Sequence, residues 1–100
     1  MLYVSLMNEF FDHLGEEWVQ AAERRGVTIE KPELDSGIAL ELLELARVAA
    51  HTQERRFAPL TSYLAGVAAE RLRVANGSDL EALAQFILEV RQNLEREVPI

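Results

Sequence analysis

The chain has 100 residues, 49% of them hydrophobic and 27% charged, with 10 basic against 17 acidic side chains and a formal net charge of −7. A chain of this length buries about 65% of its unfolded surface, enough for one self-standing domain. It has no cysteine, which excludes a disulfide scaffold, a thiolate metal site and a cysteine nucleophile. No apolar run approaches the roughly 18–20 residues that cross a bilayer, and the acidic balance opposes binding to a phosphate backbone. Composition therefore predicts a small cytoplasmic domain, residues 1–100, with neither nucleic acid nor membrane as a partner.

The first six residues read as an apolar N-terminal arm, too short for a signal peptide, with Met7 an alternative start. A first helix is predicted over 8–25. Met7, Phe11, Leu14, Trp18 and Ala21 recur in steps of four, three, four and three, Asn8 offers an N-cap, and Arg24-Arg25-Gly26 a C-terminus. That stripe places Trp18 in the core. After Pro32 a second helix is predicted over 35–52, apolar at Leu34, Ile38, Leu42, Leu45, Ala46 and Ala49 and again at Leu40 and Leu43. Two apolar stripes mark a central helix with neighbours on both flanks. Pro59 suits the first turn of a third helix over 59–75, with Leu60, Leu64, Val67, Ala68 and Leu72 facing inward. Asn76-Gly77 closes it, and Ser78 to Glu81 reads as a capping box opening a fourth helix over 79–97. Its apolar positions are Leu80, Leu83, Ala84, Ile87, Val90 and Leu94. The prediction is an all-α, four-helix up-down bundle. The short link at 76–78 forces the last two helices antiparallel, and Ala46, Ala49, Ala50, Ala65, Ala68 and Ala69 draw the second and third together.

Chemistry is sparse. Neither histidine has the Glu three residues earlier that carboxylate di-metal bundles use, and His13 between Glu9 and Glu17 reads as a solvated helix surface rather than a metal site. No phosphate loop, zinc spacing or nucleophile triad is present, so no catalytic residue, metal or cofactor is expected and the chain does not read as an enzyme. One segment stands apart. His51 lies at the end of the second helix, Arg55 and Arg56 in the following loop, and Thr61 in the first turn of the third helix. Two guanidiniums, an imidazole, a hydroxyl and a helix N-terminus make a candidate anion site. The alternative is local pairing, with His51 capping carbonyls and Arg55 meeting Glu54 or an acid of the second helix.

The same segment resembles a known family. Ala50-His51, Arg55, Ala58-Pro59-Leu60-Thr61, Tyr63, Leu64 and Gly66 match a small all-helical domain of unknown function. That domain is common in actinobacteria and occurs alone or fused to molybdenum cofactor guanylyltransferase, which makes molybdopterin-guanine dinucleotide. The resemblance extends more weakly over residues 8–95. It departs at Arg56, where the family pattern carries proline, and in the longer connection over 27–36. It implies a helical module linked to molybdenum cofactor biosynthesis. Two functions follow as expectations. One is a non-catalytic accessory module that binds itself as a dimer, or another protein, including a cofactor-synthesis protein. The other is a small-anion or nucleotide-binding protein using His51, Arg55, Arg56 and Thr61.

Overall fold

The 3.6-residue apolar period yields four helices in the computed structural model: α1 (Leu2–Glu23), α2 (Ser36–Thr52), α3 (Phe57–Asn76) and α4 (Leu80–Glu97). Residues 2–97 are described, with side chains from residue 8 onward, and no strand occurs among them. The fold is all-α, as the period predicts. Among the described residues, no helix is long and apolar enough to cross a membrane. The chain divides into two compact units, residues 1–34 and 35–100.

In the first unit α1 runs about 33 Å at 1.5 Å per residue. It starts six residues before the expected cap. Residues 2–7 hold neither Gly nor Pro, so nothing interrupts the helix, and Asn8 lies inside it rather than at its head. The backbone of 2–6, the segment read as an apolar arm, is helical and continuous with the rest of α1; Met1 lies outside the described residues. The helix ends as the Arg24-Arg25-Gly26 signal requires. Val27 N donates to Ala22 O at 3.0 Å and Gly26 N to Glu23 O at 2.9 Å, the Schellman pair, with Gly26 in the left-handed region at φ 76°. The Arg25 guanidinium also donates to the Ala21 carbonyl at 3.0 Å, matching cation to helix terminus. Phe10 and Phe11 meet edge to face with ring centroids 5.1 Å apart.

The chain then returns along α1 as an extended strap. Lys31 pairs with Asp12 and lies 3.7 Å from Glu16, and hydrogen bonding to Asp12 holds its pKa above the ordinary lysine value. The strap crosses the helix at Gly15, which is buried. A Cβ there would lie 2.6 Å from the Pro32 carbonyl oxygen, so the close approach needs glycine. Trp18 stays 56% exposed, which corrects its expected core position. A helix and one extended strap offer too little surface to cover an indole. In Gly15→Ala, the roughly 1 kcal/mol that alanine adds to helix propensity opposes the backbone clash, and the rigid clash wins. The strap is expected to detach while helix content holds. Glutamyl endopeptidase should then cut at Glu30 or Glu33 several-fold faster. Unchanged cleavage would show that the strap tolerates the methyl.

In the second unit Asp35 caps α2, accepting from Ile38 N at 3.0 Å, a cap worth about 1 kcal/mol. The core is Leu45, Val48 and Ala49 of α2, Ala69 of α3, and Leu83 and Ile87 of α4. Half of it comes from α2, which packs against both α3 and α4, while those two touch sparingly. The central role predicted for α2 therefore holds in this unit, although Leu40 and Leu43 of its second stripe are exposed. Connections at 53–56 and 77–79 are short, turning each helix back on the last. Helix α3 begins two residues earlier than Pro59, which sits third in the first turn, where its missing N–H costs nothing. Gly77 ends it in the left-handed region at φ 71°.

The cap of α4 is Asp79, not Ser78. Asp79 Oδ1 accepts from Ala82 N at 2.9 Å, and the Ser78 hydroxyl is taken by Asn76 Oδ1. On the far side of α4, Arg91 ties two helices together, 3.5 Å from Glu41 and 2.6 Å from Glu95, with its side chain 17% exposed. Burial works against that cation, but the two carboxylates outweigh it and raise its pKa.

Candidate functional site

The junction between α2 and α3 is built from backbone turns. Gln53 N donates to Ala49 O at 3.0 Å and the Thr52 hydroxyl to Val48 O at 2.8 Å, closing α2 just after the exposed His51. Phe57 N then donates to Glu54 O at 3.0 Å and Ala58 N to Arg55 O at 3.1 Å. These are two of the N–H groups that a helix N-terminus would turn toward an anion. Pro59, next in line, has none. Arg55 and Arg56 are brought together over a shallow depression shared with Glu54. Arg56 Nε lies 3.3 Å from the Glu54 carboxylate, which offsets part of the local positive charge. Thr61 is directed elsewhere, into an apolar groove. Of the four residues singled out from the sequence, Arg55 and Arg56 share the loop depression, Thr61 lines the groove, and His51 belongs to neither, being exposed near the end of α2.

The groove follows from the way three helices share one core. Because α3 and α4 both pack on α2 and touch each other sparingly, a cleft opens between them. Leu45 of α2 forms its floor, Thr61, Leu64, Ala65 and Ala68 one wall, and Phe86, Ile87, Val90 and Leu94 the other. The volume is about 220 Å³ and the lining almost wholly apolar. On its α3 wall Leu64 protrudes, 66% exposed, and Leu60, one turn earlier in the helix, is 62% exposed. Both were expected inside. The buried side of α3 runs instead through Ala69, with half-buried Ala65 and Leu72, so small residues face α2 and the larger leucines are carried outward. A signal for this was present in α3, whose apolar residues Leu60, Tyr63, Leu64, Val67 and Val74 wrap around more of the helix than one packed neighbour can cover.

In the first unit, His13 Nε2 lies 3.6 Å from Glu17, both exposed, and no cluster of three potential metal ligands occurs among the described residues.

The model of one protein family, described as Domain of unknown function (DUF6457), matches residues 12–98. The chain belongs to that family. The matched span takes in all of α2, α3 and α4, so the junction and the groove both lie within the DUF6457 domain. No curated protein and no solved structure matches the chain.

Proposed function

We propose that this DUF6457 domain is a non-catalytic cytoplasmic interaction module that docks a protein helix in the groove between α3 and α4. The observation that carries this reading is the groove itself, open, apolar and walled on the α3 side by Leu64, which is 66% exposed. Its volume of about 220 Å³ is below the roughly 300–1,000 Å³ typical of small-molecule sites. A helix laying an apolar ridge into the cleft suits it better than a compact ligand. The resemblance to domains fused to molybdenum cofactor guanylyltransferase supports a role in assembling the cofactor-synthesis machinery. The test is Leu64→Glu, which puts a charge on the groove wall at an exposed position and should leave the circular dichroism unchanged. Binding to purified guanylyltransferase, or self-association, should fall at least tenfold. A variant that binds and assembles like wild type would sink the reading.

Anion binding by His51, Arg55, Arg56 and Thr61 is the second reading, and the exposed Arg55 supports it. It is the weaker one, because the α3 N-terminus has spent two N–H groups on its own turn and Glu54 shares the depression.

A further inference from the structure

The turn between α3 and α4 reads Asn76-Gly77-Ser78, and its hydrogen bonds do more than end a helix. Asn76 is the last residue of α3 and is exposed, as is Gly77. Ser78 N donates to Asn76 Oδ1 at 3.0 Å, and the Ser78 hydroxyl donates to the same oxygen. A backbone N–H can only donate, so the carboxamide is turned with its oxygen toward Ser78 and its nitrogen away from that contact. The Gly77 peptide lies between the two bonded residues, so the ring they close holds the carboxamide carbon beside Gly77 N. Glycine puts no side chain in the way. The space around it is open, with no atom beyond its chain neighbours within 4 Å of where a Cβ would lie.

We propose that Asn76 is a self-modification site, converted by water to aspartate and isoaspartate through a cyclic imide formed with Gly77. The proposal is independent of what the groove binds. Gly77 N attacks Asn76 Cγ, so that an N–Cγ bond forms and the Cγ–Nδ2 bond breaks. The Gly77 amide proton passes to water, and Nδ2 takes a proton from water and leaves as ammonia. Water then opens the imide. Opening at Cγ gives aspartate, and opening at the main-chain carbonyl carbon of residue 76 gives isoaspartate. The sum is water in and ammonia out, with nothing oxidised or reduced. During the attack negative charge develops on Asn76 Oδ1, the atom that both Ser78 donors already face, so Ser78 acts as an oxyanion site. Gly77 N must first give up its bond to Arg73 O at 2.7 Å. That is the closing bond of α3, at an exposed helix end where fraying is easiest. Either product places a carboxylate at the C-terminus of α3, against the helix dipole. Isoaspartate also routes the main chain through an extra carbon, which loosens the α3–α4 hairpin at its turn.

The test follows the Asn76 amide in the full chain at neutral pH, folded in buffer and unfolded in guanidinium. Trypsin releases residues 74–91, whose single asparagine is Asn76. Chromatography with mass spectrometry separates its unmodified, aspartyl and isoaspartyl forms. Both products are expected to accumulate in the folded chain, while Asn8 and Asn93, followed by Glu9 and Leu94, keep their amides. Ser78→Ala removes one donor but not the α4 cap, which Asp79 supplies. It should slow conversion several-fold in the folded chain and leave the rate in guanidinium unchanged. The intrinsic reactivity of an Asn-Gly pair alone cannot produce that split. Asn76 that stays intact in the folded chain while it converts in the unfolded one overturns the proposal. So does equal conversion of folded wild type and folded Ser78→Ala.

Discussion

Leu45→Ala is expected to cost about 3 kcal/mol, the middle of the range for buried leucine truncations, and to lower the melting temperature by roughly 12–24 °C in a domain of this size. Leu45 is 3% exposed and sits where all three helices of the second unit converge, beneath Thr61, Leu64, Ala65 and Ala68 on one side and Ile87 and Val90 on the other. Removing its isobutyl group deepens the groove floor into the core. Neighbours cannot close the gap, because Val48 and Ala49 beside it are already packed. Leu43, two residues earlier in the same helix, is 66% exposed, and its truncation should stay within about 0.5 kcal/mol. Thermal melts followed at 222 nm compare the two directly. Equal shifts would mean that α2 does not present Leu45 inward.

These two leucines also show what could be read before the structure. A 3.6-residue period names both as candidates, since Leu42 and Leu45 make one stripe and Leu40 and Leu43 another. Only the number of neighbours decides which stripe is covered, and that number is a tertiary property. Helix termini were legible where one residue type has one use. Gly26 and Gly77 end α1 and α3 in the left-handed region, and Asp35 caps α2 through Ile38 N. Termini were missed where two adjacent residues could serve. Asp79 took the α4 cap because its carboxylate is the stronger acceptor and Asn76 had already engaged the Ser78 hydroxyl. The anion reading at the α2–α3 junction treated the α3 N-terminus as a free donor set. The turn at Glu54 and Arg55 consumes those donors, and sequence spacing carries no record of such backbone bonds. The groove was the least legible feature, because it arises from the sparse contact between α3 and α4 rather than from any motif.

The neighbouring alanines of α3 should respond oppositely to enlargement, and this difference separates core from groove. Ala69 is 7% exposed and belongs to the core beside Val48 and Ala49 of α2. Ala69→Leu forces three carbon atoms into a close helix contact and should cost about 2 kcal/mol, lowering the melting temperature by roughly 8–16 °C. Ala68, one residue earlier, lines the groove. A leucine there enters open apolar space between α3 and α4, so Ala68→Leu should leave stability within about 0.5 kcal/mol of wild type. It should nonetheless interfere with docking, since the new side chain occupies volume that the incoming helix would take. Thermal melts and light scattering on the same two proteins give the comparison. Stability loss at 69 without loss at 68, together with weakened assembly at 68, follows only if the cleft is open in the free protein. An equal loss at both positions would mean that α3 and α4 close against each other, and the docking site would not exist.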